Sequence, residues 1–435
     1  MNTQKKAREY LQSKFVKDGV ALISGNVWAQ AIAFASYLIV ARLFKPEEIG
    51  LYNIFYSYIE VLTIVSTLKY EMATVIARDD REAISVSRLA LRLNTIVSLI
   101  LVTVIPLGNI VFGDADFSKH SFIITMLIPP MVFFCGTTRV YASIYNRYKN
   151  FREIALSEVV GSSSGFLLKV LFGLPHLAST LLHGIGLPLG TVLGKGAANF
   201  NYLIGLKKLS LPRDISRKEL KESAKRFKNF PLYTMPKELI NSLSYNLPFI
   251  WLALYFDKAE VGLFALALTF TFRPVNIFNN AFEKLLYVRT AEKVRNRMPI
   301  GADIKRFVLY INALALPLFV VAFFFGDNIF SFLFGERWSG CGYYIRCLLP
   351  WVYIMLTSTS LMFLSNVFSR QRAEFCFYIV LLLMRIASMI IGIMSGDFKL
   401  AILLFAMSGA VISLSLLVWF IKLVTKYEAA IAEEK

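Results

Sequence analysis

Apolar runs of about 20 residues recur along the chain with short polar gaps, and about 20 residues of helix cross the roughly 30 Å hydrocarbon layer of a bilayer. Twelve runs can be bounded, at about 19–42, 49–70, 84–112, 119–146, 153–175, 186–207, 231–255, 261–286, 305–334, 343–368, 374–396 and 399–425. Backbone polar groups find no water inside lipid, so each run is predicted to be helical. Pro106, Pro129, Pro130, Pro188, Pro248, Pro274 and Pro350 fall in or near these runs and predict kinks that neighbouring helices can accommodate. The pattern predicts an all-α polytopic membrane protein with twelve transmembrane helices.

A longer-range repeat overlies this pattern. Arg42 to Phe55 reads RLFKPEEIGLYNIF and residues 256 to 264 read FDKAEVGLF, so that a shift of 212 sets Phe44 on Phe256, Glu48 on Glu260, Gly50 on Gly262, Leu51 on Leu263 and Tyr52 on Phe264. Glu71 falls on Glu283 at the same shift, and Phe112-Gly113-Asp114 falls on Phe325-Gly326-Asp327 at 213. Three matches in one order at nearly one offset predict a duplication. Six runs separate the copies, an even number, so the halves share one orientation and an axis along the membrane normal relates them. The expected organisation is a six-helix lobe over 1–208, a basic connector over 209–230 and a second six-helix lobe over 231–435.

Composition agrees with a bilayer: 56% hydrophobic residues, mean hydropathy +0.57 and 37 Phe in 435 residues. No cleavable leader is expected, because Lys5, Lys6, Arg8, Lys14 and Lys17 precede an apolar run too long for a signal core. The net charge of +18 by itself fits a nucleic-acid partner, but its placement argues against one. Lys and Arg crowd into alternate gaps: nine between Lys207 and Lys228, five between Lys284 and Arg297, then Arg147, Lys149 and Arg152, and Arg370 and Arg372. The remaining gaps hold little beyond Lys45, Lys119, Lys258, Arg337 and Lys399. By the positive-inside rule both termini are expected in the cytoplasm. The connector reads as a solvated basic loop near anionic headgroups.

Four runs carry polar residues at helical spacing: Asn26, Gln30 and Tyr37; Asn53, Tyr56, Glu60, Thr63 and Thr67; Glu238, Ser242 and Tyr245; and Thr269, Arg273, Asn276 and Asn280. Steps of three and four place each set on one helix face. One such stripe is satisfied by helix–helix hydrogen bonding. Four, in the first two runs of both halves, favour a shared water-filled cavity. Glu60 and Arg273 lie near the bilayer midplane, where insertion of an ionisable side chain costs about 2.5–3.5 kcal/mol, and Arg385 is similarly deep. Such groups must pair, face water or touch substrate. Lys169, Lys195 and Arg139 are shallower and can snorkel. The interior is cationic on balance, which suits an anionic cargo, since Arg offers a bidentate fork to phosphate. The candidate substrate-binding residues are Arg273, Arg385, Lys195, Lys169, Arg139, Asn276, Asn26 and Gln30, and Glu60 is the candidate ion-coupling residue.

Other chemistries find little support. No G-x-x-x-x-G-K-[ST] occurs, and His120, His176 and His183 form no metal or nucleophile constellation, so neither an enzyme nor a bound cofactor is expected. Cys135, Cys341, Cys347 and Cys376 lack metal spacing, and the six-residue step between Cys341 and Cys347 on a helix disfavours a disulfide.

The stretch RLFKPEEIGLY with the following TLKYEMATVIARDD, and FLFGERWSGCGYYIRCLLPWV at 332 to 352, resembles the polysaccharide repeat-unit (O-antigen, Wzx-type) flippases of the multidrug/oligosaccharidyl-lipid/polysaccharide exporter superfamily. Arg42, Pro46, Gly50, Leu51 and Tyr52, and Phe334, Gly335, Glu336 and Trp338, carry the resemblance. It implies MATE-like paired six-helix lobes around a central cavity, and flipping of undecaprenyl-pyrophosphate-linked O-antigen or capsule repeat units across a bacterial inner membrane. It implies coupling to protons or sodium, and polymerase and assembly proteins of the polysaccharide pathway as partners. Rival readings are a drug-cation antiporter of the same fold, for which Glu60 and Glu238 are the carboxylate candidates, and a peptidoglycan-precursor flippase, which has two more spans. A membrane glycosyltransferase lacks the large outer loop it needs here, and a major-facilitator transporter lacks its signature in ARDDREAISVSR.

Overall fold

The computed structural model describes residues 36–112, 119–174, 182–207, 209, 211–212, 214–368 and 370–433, and every regular element among them is helical. The long helices are α1 (Pro46–Thr67), α2 (Asp80–Phe112), α3 (Ile128–Arg147), α4 (Phe151–Gly173), α5 (Leu182–Leu206), α6 (Arg217–Arg226), α7 (Met235–Trp251), α8 (Lys258–Arg295), α9 (Gly301–Phe334), α10 (Cys341–Ser360), α11 (Gln371–Ser395) and α12 (Phe398–Glu433). Helix therefore occupies each predicted run from the second to the twelfth. Among the described residues, eight helical stretches are long and apolar enough to cross a membrane. Most of the first run, with Asn26 and Gln30, lies outside the described residues, as does His176.

The chain divides into two compact units that do not follow the predicted boundaries. One comprises the described residues up to Phe44 with Phe55–Leu239; the other comprises Lys45–Ile54 and Ile240 onward. The second unit claims Lys45–Ile54 because the two copies of the sequence repeat pack on each other. A methyl group at Gly50 would stand 2.2 Å from the Lys258 carbonyl oxygen, and one at Gly262 would stand 1.9 Å from that of Pro46. Pro46 and Lys258 are themselves 212 positions apart, so the crossing is reciprocal, each glycine admitting the backbone of the other copy. Pro46 at the first helical position, followed by Glu47 and Glu48, starts α1, and the Asp257 carboxylate, accepting from Ala259 N at 3.2 Å, starts α8.

In the first unit α4 and α5 form the most extensive pair. Small residues allow it: a methyl at Gly194 would meet the Gly161 carbonyl at 2.7 Å and the Gly165 Cα at 2.7 Å. Helix α1 stops at Thr67, short of the predicted residue 70, because Leu68 and Lys69 adopt left-handed φ of 49° and 62°. A short 3₁₀ turn, Tyr70–Met72, follows. Lys69 is held there by the Glu238 carboxylate at 2.6 Å, with Glu71 at 4.0 Å.

The connector differs from a solvated loop. Helix α6 opens with a capping box between Ser216 and Glu219, and buries Leu220, Ser223 and Phe227. It docks on the start of α2 through the pairs Arg81–Glu219 and Arg226–Glu82, the Ser223–Ser85 hydrogen bond at 2.9 Å, and Tyr70 Oη donating to the Ala224 carbonyl at 3.2 Å. Phe227 joins Tyr70, Ala83, Ile84, Ala90 and Ile144 in one apolar core.

In the second unit α10 is central: 67% of its apolar window is buried, and α8, α9 and α12 pack on it. Its neighbour α9 is the reverse, mostly exposed, with Leu309, Leu314, Leu318, Phe324 and Phe332 on its surface.

Candidate functional site

Within the first unit, helices α1, α3, α4 and α5 bring four charged side chains near one another. Lys195 Nζ donates to Glu158 Oε2 at 3.4 Å, linking α5 to α4. Lys195, Arg139, Glu158 and Glu60 all act electrostatically on Cys135 of α3, which places them around one point of the unit. Three of these, Arg139, Lys195 and Glu60, are candidates from the sequence; Glu158 is a new member. Its signal was available: Glu158 lies inside the fifth run, an apolar segment in which a carboxylate needs a partner. The cluster holds two cations and two carboxylates, so it is balanced rather than cationic. Arg139 Nη1 is buried with no hydrogen-bond partner among the described residues, which leaves one donor uncommitted.

Two asparagines frame this cluster by gripping α3 from either side. Asn94 of α2 donates to the Phe133 carbonyl at 2.9 Å and to Thr137 Oγ1 at 3.2 Å. Asn199 of α5 donates to the Phe134 carbonyl and Thr138 Oγ1, each at 3.0 Å, and to the Lys195 carbonyl at 2.8 Å. Asn199 thus secures the turn of α5 that presents Lys195. Both asparagines are buried, and buried amides bound to carbonyls hold helices in register. Lys169 lies further along α4, half-buried, with its stem against Gly190 of α5.

The candidates of the second unit separate into two environments. Arg273 and Asn276 are exposed on α8. Arg385 is fully buried and enclosed by three rings, its guanidinium carbon 4.8 Å from Tyr245, 4.8 Å from Trp351 and 4.4 Å from Phe405. One nitrogen, Nη1, donates to the Ser244 carbonyl and Ser244 Oγ, both at 2.9 Å, while Nε and Nη2 have no partner among the described residues. This is a cation–π box inside the helix packing. Tyr245, a member of the polar stripe with Glu238 and Ser242, is one of its walls, stacked on Trp351 at 6.1 Å. The stripe on α8 also omits a buried polar residue, Asn279, which accepts from Ser360 Oγ at 3.0 Å. Among the described residues no cluster of His, Cys, Asp or Glu is fit to hold a metal.

Residues 39–342 match the model of a family described as polysaccharide biosynthesis protein. Among solved structures, a lipid II flippase in an inward closed conformation is 13% identical over 95% of this chain and 91% of its own, with a TM-score of 0.72. An inward-facing multidrug resistance MATE family transporter of the MOP superfamily is 14% identical over 92% of this chain and 96% of its own, with a TM-score of 0.68. A MOP superfamily transporter from Pyrococcus furiosus is 15% identical over 95% of this chain and 96% of its own, with a TM-score of 0.61. At these identities the likeness is one of fold: the chain has the two-lobed helical architecture of these transporters. No curated protein sequence matches the chain.

Proposed function

Starting from the fact that this chain belongs to the polysaccharide biosynthesis protein family, we propose that it flips undecaprenyl-pyrophosphate-linked oligosaccharide, an O-antigen or capsule repeat unit, across a bacterial inner membrane. The observation that carries the reading is the set of charged side chains gathered inside the membrane helices of a polysaccharide-family chain, Arg139 and Lys195 with Glu60 and Glu158. Charges at that depth persist only where they act on one another, on water or on cargo.

The mechanism is alternating access. Lys195, whose contact with Glu158 is long, exchanges that carboxylate for the pyrophosphate as it enters, and Arg139 offers the pyrophosphate its uncommitted Nη1. Lys169, half-buried on α4, makes a further contact to the headgroup, and Arg273 and Asn276, exposed on α8, are the second unit's own candidate ligands for the cargo. Glu60, released from its cationic neighbours when they turn to the cargo, takes up a proton or sodium ion and couples the cycle to the ion gradient. Both termini lie in the cytoplasm, and the chain acts as a transporter rather than an enzyme. Arg385 serves the packing of its own unit.

The equal count of carboxylates and cations gives a second reading its footing, a small-cation antiporter with Glu60 and Glu158 as the cation ligands. The two separate experimentally in a strain whose surface polysaccharide depends on this gene. Arg139→Ala, Lys195→Ala and Arg273→Ala at normal membrane abundance are expected to abolish or sharply reduce that polysaccharide and leave dye efflux unaffected. Undiminished polysaccharide in all three overturns the flippase assignment, and lost efflux supports the antiporter.

A further inference from the structure

We infer that the outward face of helix α6 binds the anionic headgroups of the adjoining membrane leaflet, so that the connector is a membrane-surface anchor as well as a link. Its chemistry is separated by face. Leu220, Ser223 and Phe227 are buried against the start of α2, whereas Arg217, Lys218, Lys221, Lys225 and Lys228 are all exposed. At 3.6 residues per turn the four of these that lie on the helix share a sector of about 100°. None of these five side chains has a hydrogen bond or ion pair among the described residues.

Three of the nearby carboxylates are engaged inward, Asp79 accepts from Glu82 N at 2.8 Å, and Asp214 stays exposed beside the basic face. Glu219 is paired with Arg81, Glu82 with Arg226 and Asp80 with Arg147. Arg147 also donates to the carbonyls of Thr74 and Ala77, at 3.2 and 2.8 Å, which closes this end of the unit. Of the acids of α6, Glu222 is exposed and has no ion pair among the described residues, and against it stand five exposed cations, so the outward surface is cationic.

Position selects the partner. Arg88 Nη2 donates to the Pro212 carbonyl at 3.1 Å, fixing the connector at that level of α2. Ile96, the first of a series of exposed apolar side chains that continues through Leu99, Ile100, Val102 and Val104, lies eight residues on, about 12 Å along the helix. Helix α6 itself docks at Arg81, Glu82 and Ser85, about 16–23 Å before Ile96 along α2, so its basic face stands at the outer edge of the headgroup layer, from which lysine side chains reach toward the lipid phosphates. Clustered basic residues at that height are attracted to an anionic leaflet.

The test uses the full chain in nanodiscs of phosphatidylcholine alone or with one third phosphatidylglycerol. A neutral, membrane-impermeant amine reagent labels the lysines, and mass spectrometry reads each rate. Lys218, Lys221, Lys225 and Lys228 are expected to label about fivefold more slowly in the anionic discs, and the protection is expected to vanish in 1 M salt, where the Debye length falls to about 3 Å. Equal rates in the two discs overturn the inference. Equal rates in discs with protection in native membranes overturn it too, and assign the face to an acidic protein. The readout does not involve the transported cargo, so it stands or falls apart from the proposed function.

Discussion

Arg385 shows how far the same residue type differs with its surroundings. Removing a guanidinium from water is expensive, and only one nitrogen here regains hydrogen bonds, so three aromatic rings carry much of the compensation. The box is shaped for a long side chain. Arg385→Ala is expected to lower stability by about 3–5 kcal/mol through the cavity it leaves, whereas Arg385→Met, which fills the box with apolar atoms, is expected to be tolerated and to keep surface polysaccharide. Thermal unfolding in detergent checks the first, and a stable but inactive Met variant would return Arg385 to the cargo site. Sequence depth alone ranked Arg385 with Arg273, because both are cations far inside an apolar run. Nothing in the pattern of Tyr245, Trp351 and Phe405, on three separate helices, announces that they converge on one guanidinium.

At the scale of elements, the crossing of α1 and α8 depends on the absence of two side chains. Gly50→Ala or Gly262→Ala forces the helices apart against backbone atoms that cannot rotate away, and each is expected to cost about 1–3 kcal/mol, seen as a lower unfolding midpoint and reduced membrane abundance. The docking of α6 has a pH signature. Arg81, through its hydrogen bond, and then the Ser216 backbone hold the Glu219 carboxyl down at about 2, against an ordinary 4.5. A depressed folded value means that the contact supports docking above pH 4.5 and is lost as pH falls from 4.5 through 2. Amide protection over 216–227, taken relative to the intrinsic exchange rate at each pH, is therefore expected to fall across that window, and Glu219→Gln to show low protection at both ends of it. Protection that persists at pH 2 would show that Leu220 and Phe227 hold α6 without the ion pair. Ser216→Ala, which removes half the capping box, is expected to quicken exchange of the first turn about fivefold at neutral pH.

At the scale of the molecule, the proposed transport cycle requires that Glu60 exchange partners. Glu60→Gln keeps the side chain's size and removes its charge, so flipping is expected to continue at a reduced rate that no longer responds when an ionophore collapses the ion gradient, whereas the wild type slows sharply. Reconstituted vesicles carrying a fluorescent lipid-linked oligosaccharide read both. A Glu60→Gln protein that keeps full ionophore sensitivity would move the coupling elsewhere, with Glu158, 3.4 Å from Lys195, next in line.

Helical periodicity, run length and the side on which Lys and Arg accumulate are local properties, and they were enough for the sequence to determine an all-helical, polytopic chain and the repeat around Gly50 and Gly262. They also located Glu60 as a costly charge, and Arg139 and Lys195 as shallower candidates, since the cost of burying an ion depends on depth along one helix. Which charges meet depends instead on how helices rotate about their axes and pack, and that is a tertiary outcome. Packing united Arg139, Lys195 and Glu60 with Glu158, sent Arg385 into an aromatic box and left Arg273 exposed. It also turned a basic connector into a docked helix, because the partners of Glu219 and Arg226 come from residues 81 and 82, more than 130 positions away.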